Sequence, residues 1–336
     1  MAELLEFEEP VGVLLKEIEA LGMMPTTPER DRSIESLRRR ADAIRGEIFR
    51  TLTPWQRVLV ARHPNRPNTL DYVERLFTSV DELHGDRRFA DDHAIVTGLA
   101  EYKGQSVAFL GHQKGRDTKQ KIYRNFGYAR PEGYRKALRV MQMAQKFSRP
   151  LIVFIDTPAA YPGMESEERG VAEAIAVNLR EMMLIEVPII VIVCGEGGSG
   201  GALGIAIGDR VMMQEFSVYS VIPPEGCAAI LWRDPAKKIE AATALKITAP
   251  DMVALGLVDS IIPEPVGGAH NDYEAATALV DQALSVALAD VAALTVPERL
   301  ELRYAKFRRM GEEGSSFTDT SPDLPVGPTR GGPAGR

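Results

Sequence analysis

The chain has 336 residues, 45% of them apolar and 26% charged, an ordinary globular composition that fits one large domain with appendages or two domains. A net charge of −7 excludes a general polyanion binder and leaves room for no more than a local basic patch. Two cysteines without metal-ligand spacing exclude a disulfide framework, MAELLEFEEP lacks a signal-peptide pattern, and no stretch approaches the roughly 20 apolar residues of a membrane span, so a reducing cytoplasm is expected.

In chain order, residues 11–21 place Val11, Leu14, Leu15, Ile18 and Leu21 on one helical face, and Pro25 and Pro28 end that helix. A second amphipathic helix is expected over 34–52, with Leu37, Ala41, Ile44, Ile48 and Phe49 on one side and arginines on the other. Residues 1–60 thus read as a helical arm that packs on a neighbour, within the chain or in another subunit. Short β-type runs at 94–99 and 105–111, separated by Tyr102-Lys103-Gly104, predict a hairpin. A helix over 133–147 follows, then a buried strand over 151–155. The next helix is expected over 166–183, with Ser166 as its cap and Glu167 and Glu168 in its first turn.

The run 187–204, VPIIVIVCGEGGSGGALG, is the centre of the pattern. Its first half, to Cys194, is continuous, β-branched and apolar, the mark of a strand buried on both faces. Its second half has glycine at 195, 197, 198, 200, 201 and 204, which lets a substrate approach the backbone closely. A short helix over 202–207 then leaves first-turn N–H groups free to hold an anion or a developing oxyanion. Two buried strands, each followed by a Gly- or Pro-rich turn and a helix, predict a parallel α/β sheet. Right-handed crossovers place both turns, 156–163 and 195–201, at one edge of it. Further short strands are expected at 210–213, 218–222 and 258–262, with helices at 225–231, 235–245, 250–255, 271–294 and 297–310. The tail from Gly311 is rich in Gly, Pro, Ser and Thr and is expected to be disordered.

No side-chain nucleophile is framed by the sequence: Ser199 lies among glycines with no His or acid assigned to it. Of the five histidines, His112 stands at a strand end and is the one placed to reach a cleft. Gly195-x-Gly197-x-x-Gly200, with Glu215 twenty residues on, matches a dinucleotide fingerprint. The helix expected after it is too short for that fold's full crossover. The segment 114–130 carries Lys114, Arg116, Lys119, Lys121, Arg124 and Arg130 with Tyr123, Phe126 and Tyr128 interleaved. It reads either as a solvated loop or as a landing site for phosphates or an acidic partner.

Several motifs together resemble one family. They are Arg62-His63-Pro64, Gly111-His112-Gln113-Lys114-Gly115-Arg116, Asn125-Phe126-Gly127, the run 131–137 (PEGYRKA), 196–203, Pro224-Glu225-Gly226-Cys227 and the run 261–265. The chain resembles the α subunit of the bacterial acetyl-CoA carboxylase carboxyltransferase over about residues 5–310. That resemblance implies an α/β, crotonase-like spiral of β-β-α units over 61–310, with the arm as an N-terminal helical extension and 311–336 as a tail. It implies an α2β2 assembly with a zinc-bearing β subunit, so that this chain holds no metal, and a soluble enzyme with no membrane contact. The implied reaction moves a carboxyl group from carboxybiotin, on the biotin carboxyl carrier protein charged by biotin carboxylase, to acetyl-CoA. Malonyl-CoA for fatty acid synthesis is the product.

By motif, Gly200 and Gly201 are the amides that hold the carboxybiotin ureido oxygen, with Gly197, Gly198, Ser199 and Ala202 around them. The β subunit holds the thioester, and His112, Lys114, Arg116, Lys119 and Arg124 meet substrate or partner. A non-catalytic acyl-CoA-binding subunit and a nicotinamide-dependent oxidoreductase are the competing readings. One departure stands out: Asp156-Thr157-Pro158-Ala159-Ala160-Tyr161-Pro162-Gly163 has alanine at 159 where the family has glycine. A positive φ there would cost alanine on the order of 1 kcal/mol.

Overall fold

The computed structural model describes residues 4–311; the tail expected to be disordered lies beyond them, apart from Gly311. Helix α1 (Glu9–Gly22) and helix α2 (Pro28–Arg50) form an antiparallel arm. Val11 and Leu14 of α1 close on Ala41 of α2, and Phe49 at the far end of α2 packs edge-on against Phe216 of the body, centroids 5.4 Å apart.

Helix α3 (Pro54–Ala61), helix α4 (Thr69–Leu76) and strand β1 (Thr78–Glu82) follow, and none of them was expected. Both helices open with a side-chain cap. Thr53 and Gln56 form a reciprocal capping box on α3, and Asp71 reaches back to the Asn68 amide on α4. Strand β1 is exposed along its whole length and carries no apolar period, so its place is set by pairing with β2 alone.

The predicted hairpin is β2 (Ile95–Tyr102) and β3 (Gln105–His112), antiparallel and in register throughout. Next come α5 (Thr118–Tyr123), α6 (Pro131–Lys146), β4 (Leu151–Thr157), α7 (Met164–Glu168), α8 (Val171–Leu184) and β5 (Ile189–Gly198). Helix α9 (Ser199–Leu203), β6 (Arg210–Gln214), β7 (Val218–Ser220), α10 (Pro224–Leu231), α11 (Lys238–Ala244), α12 (Ala249–Ala254), β8 (Ser260–Ile262), α13 (Tyr273–Ala292) and α14 (Val296–Arg309) complete the chain.

The strands form one sheet in the order β1-β2-β3-β4-β5-β6-β8, with β7 pairing β5 off that path. From β3 onward every pairing is parallel. Alternate residues of the central strands feed two cores. Leu151, Val153, Ile155, Val191 and Val193 face α6 and α8 on one side. Ile152, Phe154, Ile190 and Ile192 face α4 and α13 on the other. All nine are fully buried, each contributing about 1.5–3 kcal/mol by removal from water.

Two expectations need correction here. Ser166 does not cap a long helix: it is buried inside the five-residue α7, and α8 begins after Gly170, whose φ of 77° breaks the helix in two. Helix α13 is long and apolar enough to cross a membrane by length and composition, against the reading that no stretch approaches this. Alanines lift its mean hydropathy, but Val280, Leu284 and Val291 point into the core and its Asp281 accepts from the Tyr102 hydroxyl at 2.7 Å.

Candidate functional site

The site forms where β4 and β5 end side by side. Strand β5 does not stop at Cys194. It runs to Gly198, taking Thr157 as partner on one side and Val218, Tyr219 and Ser220 on the other. The glycines therefore extend a strand before they open a helix, and that helix is Ser199–Leu203 rather than 202–207. Ser199 takes φ 51° at the junction, a left-handed conformation that costs a non-glycine residue about 1–2 kcal/mol and recurs at functional sites.

The two turns expected on one edge touch. A Cβ on Gly198 would lie 1.8 Å from the Pro158 carbonyl oxygen, and one on Gly201 would lie 2.4 Å from the Ala159 and Ala160 backbone. Gly200 differs: a Cβ there would meet only Ile175, at 3.6 Å. Gly201 is thus glycine because another loop presses on it, whereas Gly200 has room for a methyl group. Both lie in the first turn of α9, where amides have no acceptor within the helix. Ala159 is not among the positive-φ residues, so its replacement of glycine carries no backbone penalty.

Beneath these amides lies a chain of charges. Lys114 Nζ is 2.7 Å from Asp156 Oδ1 and 2.7 Å from Glu196 Oε2. Arg62, at the end of α3, donates to Glu196 Oε1 at 2.6 Å and to Glu225 at 2.6 Å. Burial alone would raise the Glu196 carboxyl; the Lys114 and Arg62 charges overcome it and hold it at about 2. Burial would likewise lower the Lys114 ammonium, and Asp156 and Glu196 raise it instead. His112, expected to reach a cleft, is instead fully buried behind the turn, against the Gly201 backbone. Burial first, then the Lys114 charge, push it down to about 3. None of these three groups changes charge near neutral pH.

Two hollows adjoin the turn. Arg62, Pro158, Glu196, Gly198 and Ser220 line a narrow crevice. A cavity of about 380 Å³ opens beside Ser199, walled by Leu203, Ala206, Tyr219, Val221 and Phe307.

The structure gathers Gly197, Gly198, Ser199, Gly200, Gly201, Ala202, His112 and Lys114, and it separates the rest of the basic segment from them. Arg116 pairs with Asp71 and lies over the Tyr273 ring, and Arg124 donates to the His93 carbonyl at 3.0 Å. Lys119 is exposed on α5, which Asp117 caps. Sequence reasoning gave no role to Arg62, Asp156 or Glu196. The available signal was a charged residue inside or beside an otherwise apolar strand, which is kept only when paired. Among the described residues no group of three or more His, Cys, Asp or Glu is placed to hold a metal. The dinucleotide reading fails on α9, whose five residues are no crossover helix, and Glu215 is spent on the Glu264 amide.

A largely parallel sheet with helices on both faces, and a glycine-rich strand end lying beside a second strand end, define an α/β protein with a backbone-lined site at one sheet edge. The fold matches transcarboxylase 12S at a TM-score of 0.54 and 22% identity, over 66% of this chain and 41% of that one. It matches a Pseudomonas malonate decarboxylase subunit at 0.54 and 20%, over 67% and 93%. A sequence profile described as acetyl co-enzyme A carboxylase carboxyltransferase-like matches residues 4–311. The acetyl-coenzyme A carboxylase carboxyl transferase subunit alpha of Geobacter metallireducens is 55% identical over 91% of this chain and 96% of its own length. That of Geobacter sulfurreducens is 57% identical over 81% and 85%. The chain belongs to the acetyl co-enzyme A carboxylase carboxyltransferase-like family.

Proposed function

We propose that this chain is the α subunit of an acetyl-CoA carboxylase carboxyltransferase, acting in the cytoplasm on the first committed step of fatty acid biosynthesis. The observation that carries the reading is 55% identity along nearly the whole length of both chains. In this reading residues 61–310 are the transfer domain and 1–60 the arm. A zinc-bearing β subunit completes an α2β2 assembly, and the biotin carboxyl carrier protein, charged by biotin carboxylase, delivers the cofactor.

The residues present fit that cofactor. The cavity beside Ser199 offers apolar walls to a fused ring, and the backbone turn at its edge offers N–H donors to a urea oxygen. Carboxybiotin supplies the carboxyl group that passes to the acetyl-CoA methyl carbon. Gly200 and Gly201 would hold the ureido oxygen with their amides, the stabilisation an oxyanion hole provides. Gly197 and Gly198 let the Tyr219 ring and the Pro158 carbonyl close on the strand end, and Ser199 and Ala202 flank the amides. The β subunit holds the thioester. Co-expression with a β subunit, followed by an assay of malonyl-CoA formation from acetyl-CoA and carboxylated carrier, tests this. A purified, assembled pair that forms none would overturn it and favour the non-catalytic acyl-CoA-binding reading.

A further inference from the structure

We propose that Lys114 is a positioning residue, a bolt that holds the outgoing ends of β4 and β5 in a fixed offset and so aims the Gly200 and Gly201 amides. Its effect on rate rests on the functional reading above; the bolt itself rests on geometry alone.

Pairing of β4 with β5 is regular from Leu151↔Ile189 to Ile155↔Val193, then slips, and Thr157 partners Gly197. Across the slip a single residue of β4, Asp156, faces three of β5, Cys194, Gly195 and Glu196. Such bulges leave backbone groups unpaired and bend the strand beyond them onto a new course. Here side chains take those groups. Asp156 Oδ1 accepts from the Glu196 amide at 2.9 Å, and Arg66 Nε donates to the Cys194 carbonyl at 2.6 Å. Gly195 has no Cβ because Asp156 Oδ1 would lie 2.3 Å from it.

This arrangement brings two buried carboxylates, Asp156 and Glu196, to the same bulge. Two like charges at one place repel and desolvate at high cost unless a cation lies between them. Lys114 is that cation, 2.7 Å from each. Its own path is walled: a Cβ on Gly127 would come 2.7 Å from Lys114 Cγ, and the Gly127 carbonyl accepts from Thr157 Oγ1 at 2.7 Å. The bolt therefore joins three segments, the loop after β3, the end of β4 and the bulge of β5. The catalytic turn begins three residues beyond Glu196. Side chains that support a site at this remove set its geometry, and a misplacement of about 1 Å costs about 100-fold in rate.

The test pairs kinetics with hydrogen exchange on the assembled enzyme. Lys114→Met is expected to lower kcat about 10- to 100-fold with both KM values within about twofold, and Lys114→Arg to recover part of the loss. Amide exchange over 156–163 and 195–204 is expected to rise about tenfold or more, while 151–155 stays protected. The exchange readout needs no turnover, so it stands apart from the functional reading. Because Lys114→Met leaves two carboxylates without their shared cation, the triple variant with Asp156→Asn and Glu196→Gln removes that burden. It is expected to fold well and remain slow. Wild-type kcat in the triple variant would show that Lys114 only neutralises charge and would overturn the proposal. So would unchanged exchange in Lys114→Met, or a raised KM with kcat intact, which would return Lys114 to substrate binding.

Discussion

The two ends of β5 are held by buried ions in different ways. At the incoming end, Arg303 of α14 is fully buried and pairs with Asp209 at 2.8 Å. It also donates to the carbonyls of Met182 and Ile185 at 2.7 Å each, while Asp209 accepts from the Ile189 amide at 2.8 Å. That end is clasped, with α14, α8 and β5 stitched at one point beside a hollow of about 240 Å³ that Arg210, Asp259, Arg299 and Lys306 line. At the outgoing end, Lys114, Glu196 and Arg62 run as a chain that reaches the surface at Glu225, beside a crevice and a cavity. The first arrangement anchors a strand; the second holds a turn in place while leaving its amides accessible. The same strand is built for permanence at one end and for presentation at the other.

Breaking the anchored end has the largest expected effect. Arg303→Met leaves Asp209 buried without its cation, a change that costs about 3–5 kcal/mol. Denaturant melts are expected to show that loss while kcat per folded molecule stays near wild type. At the outgoing end the order reverses. Gly201→Ala drives a methyl into the Ala159–Ala160 backbone, 2.4 Å away, and is expected to lower carboxyl transfer about 100- to 1000-fold. Gly200→Ala, with only Ile175 in ordinary contact, is expected to fold like the wild type. Its rate reports whether a substrate group comes up to that amide.

Acid sharpens the comparison. His112 is held at about 3 against an ordinary 6.5, so its folded-state contribution is complete above pH 6.5 and is lost as pH falls toward 3. Glu196, held at about 2, loses its contribution only below pH 4.5. His270, also at about 3, adds to the acid loss, whereas Asp92, raised by burial to about 6, gains stability as pH falls through that value. Global melts therefore mix opposing signs. Hydrogen exchange between pH 7 and 5 is expected to show 195–204 loosening before 187–191. The smallest effect belongs to the exposed cation: Lys119→Glu is expected to raise the KM for a phosphate-bearing substrate severalfold at low salt, and less at about 0.5 M salt, where exposed charges are screened. No change at either ionic strength would make α5 a plain surface helix.

Much of this was legible in the chain. The apolar runs of β4 and β5 were legible from their continuity, and the hairpin β2–β3 and most of the face of α6 from their period; Phe147, expected on that face, is instead exposed just past the helix end. Helices α3 and α4 escaped because each is eight residues long and their caps, Thr53 with Gln56 and Asn68 with Asp71, were the only local signal. The bulge was invisible for a different reason. Its acceptor, its cation and its second arginine come from Asp156, Lys114 and Arg66, the last 128 residues from Cys194. No local rule joins them. The glycine motif pointed to the correct backbone, but the reason for Gly201, a neighbouring turn at contact distance, is tertiary.

The stitch at Arg303 also sets a schedule for making the protein. Ile185 and Arg303 lie 118 residues apart, so the carbonyl at the foot of β5 waits for the C-terminal helix to be synthesised. At about 5–20 residues per second that interval is on the order of 6–24 seconds. During it β5 has β4 beside it and gains β6 and β7, but its incoming end lacks the clasp. A nascent chain stalled before residue 303 leaves Asp209 buried without its cation and the foot of β5 unclasped, which makes late truncation a route to a destabilised chain and not to a smaller active subunit.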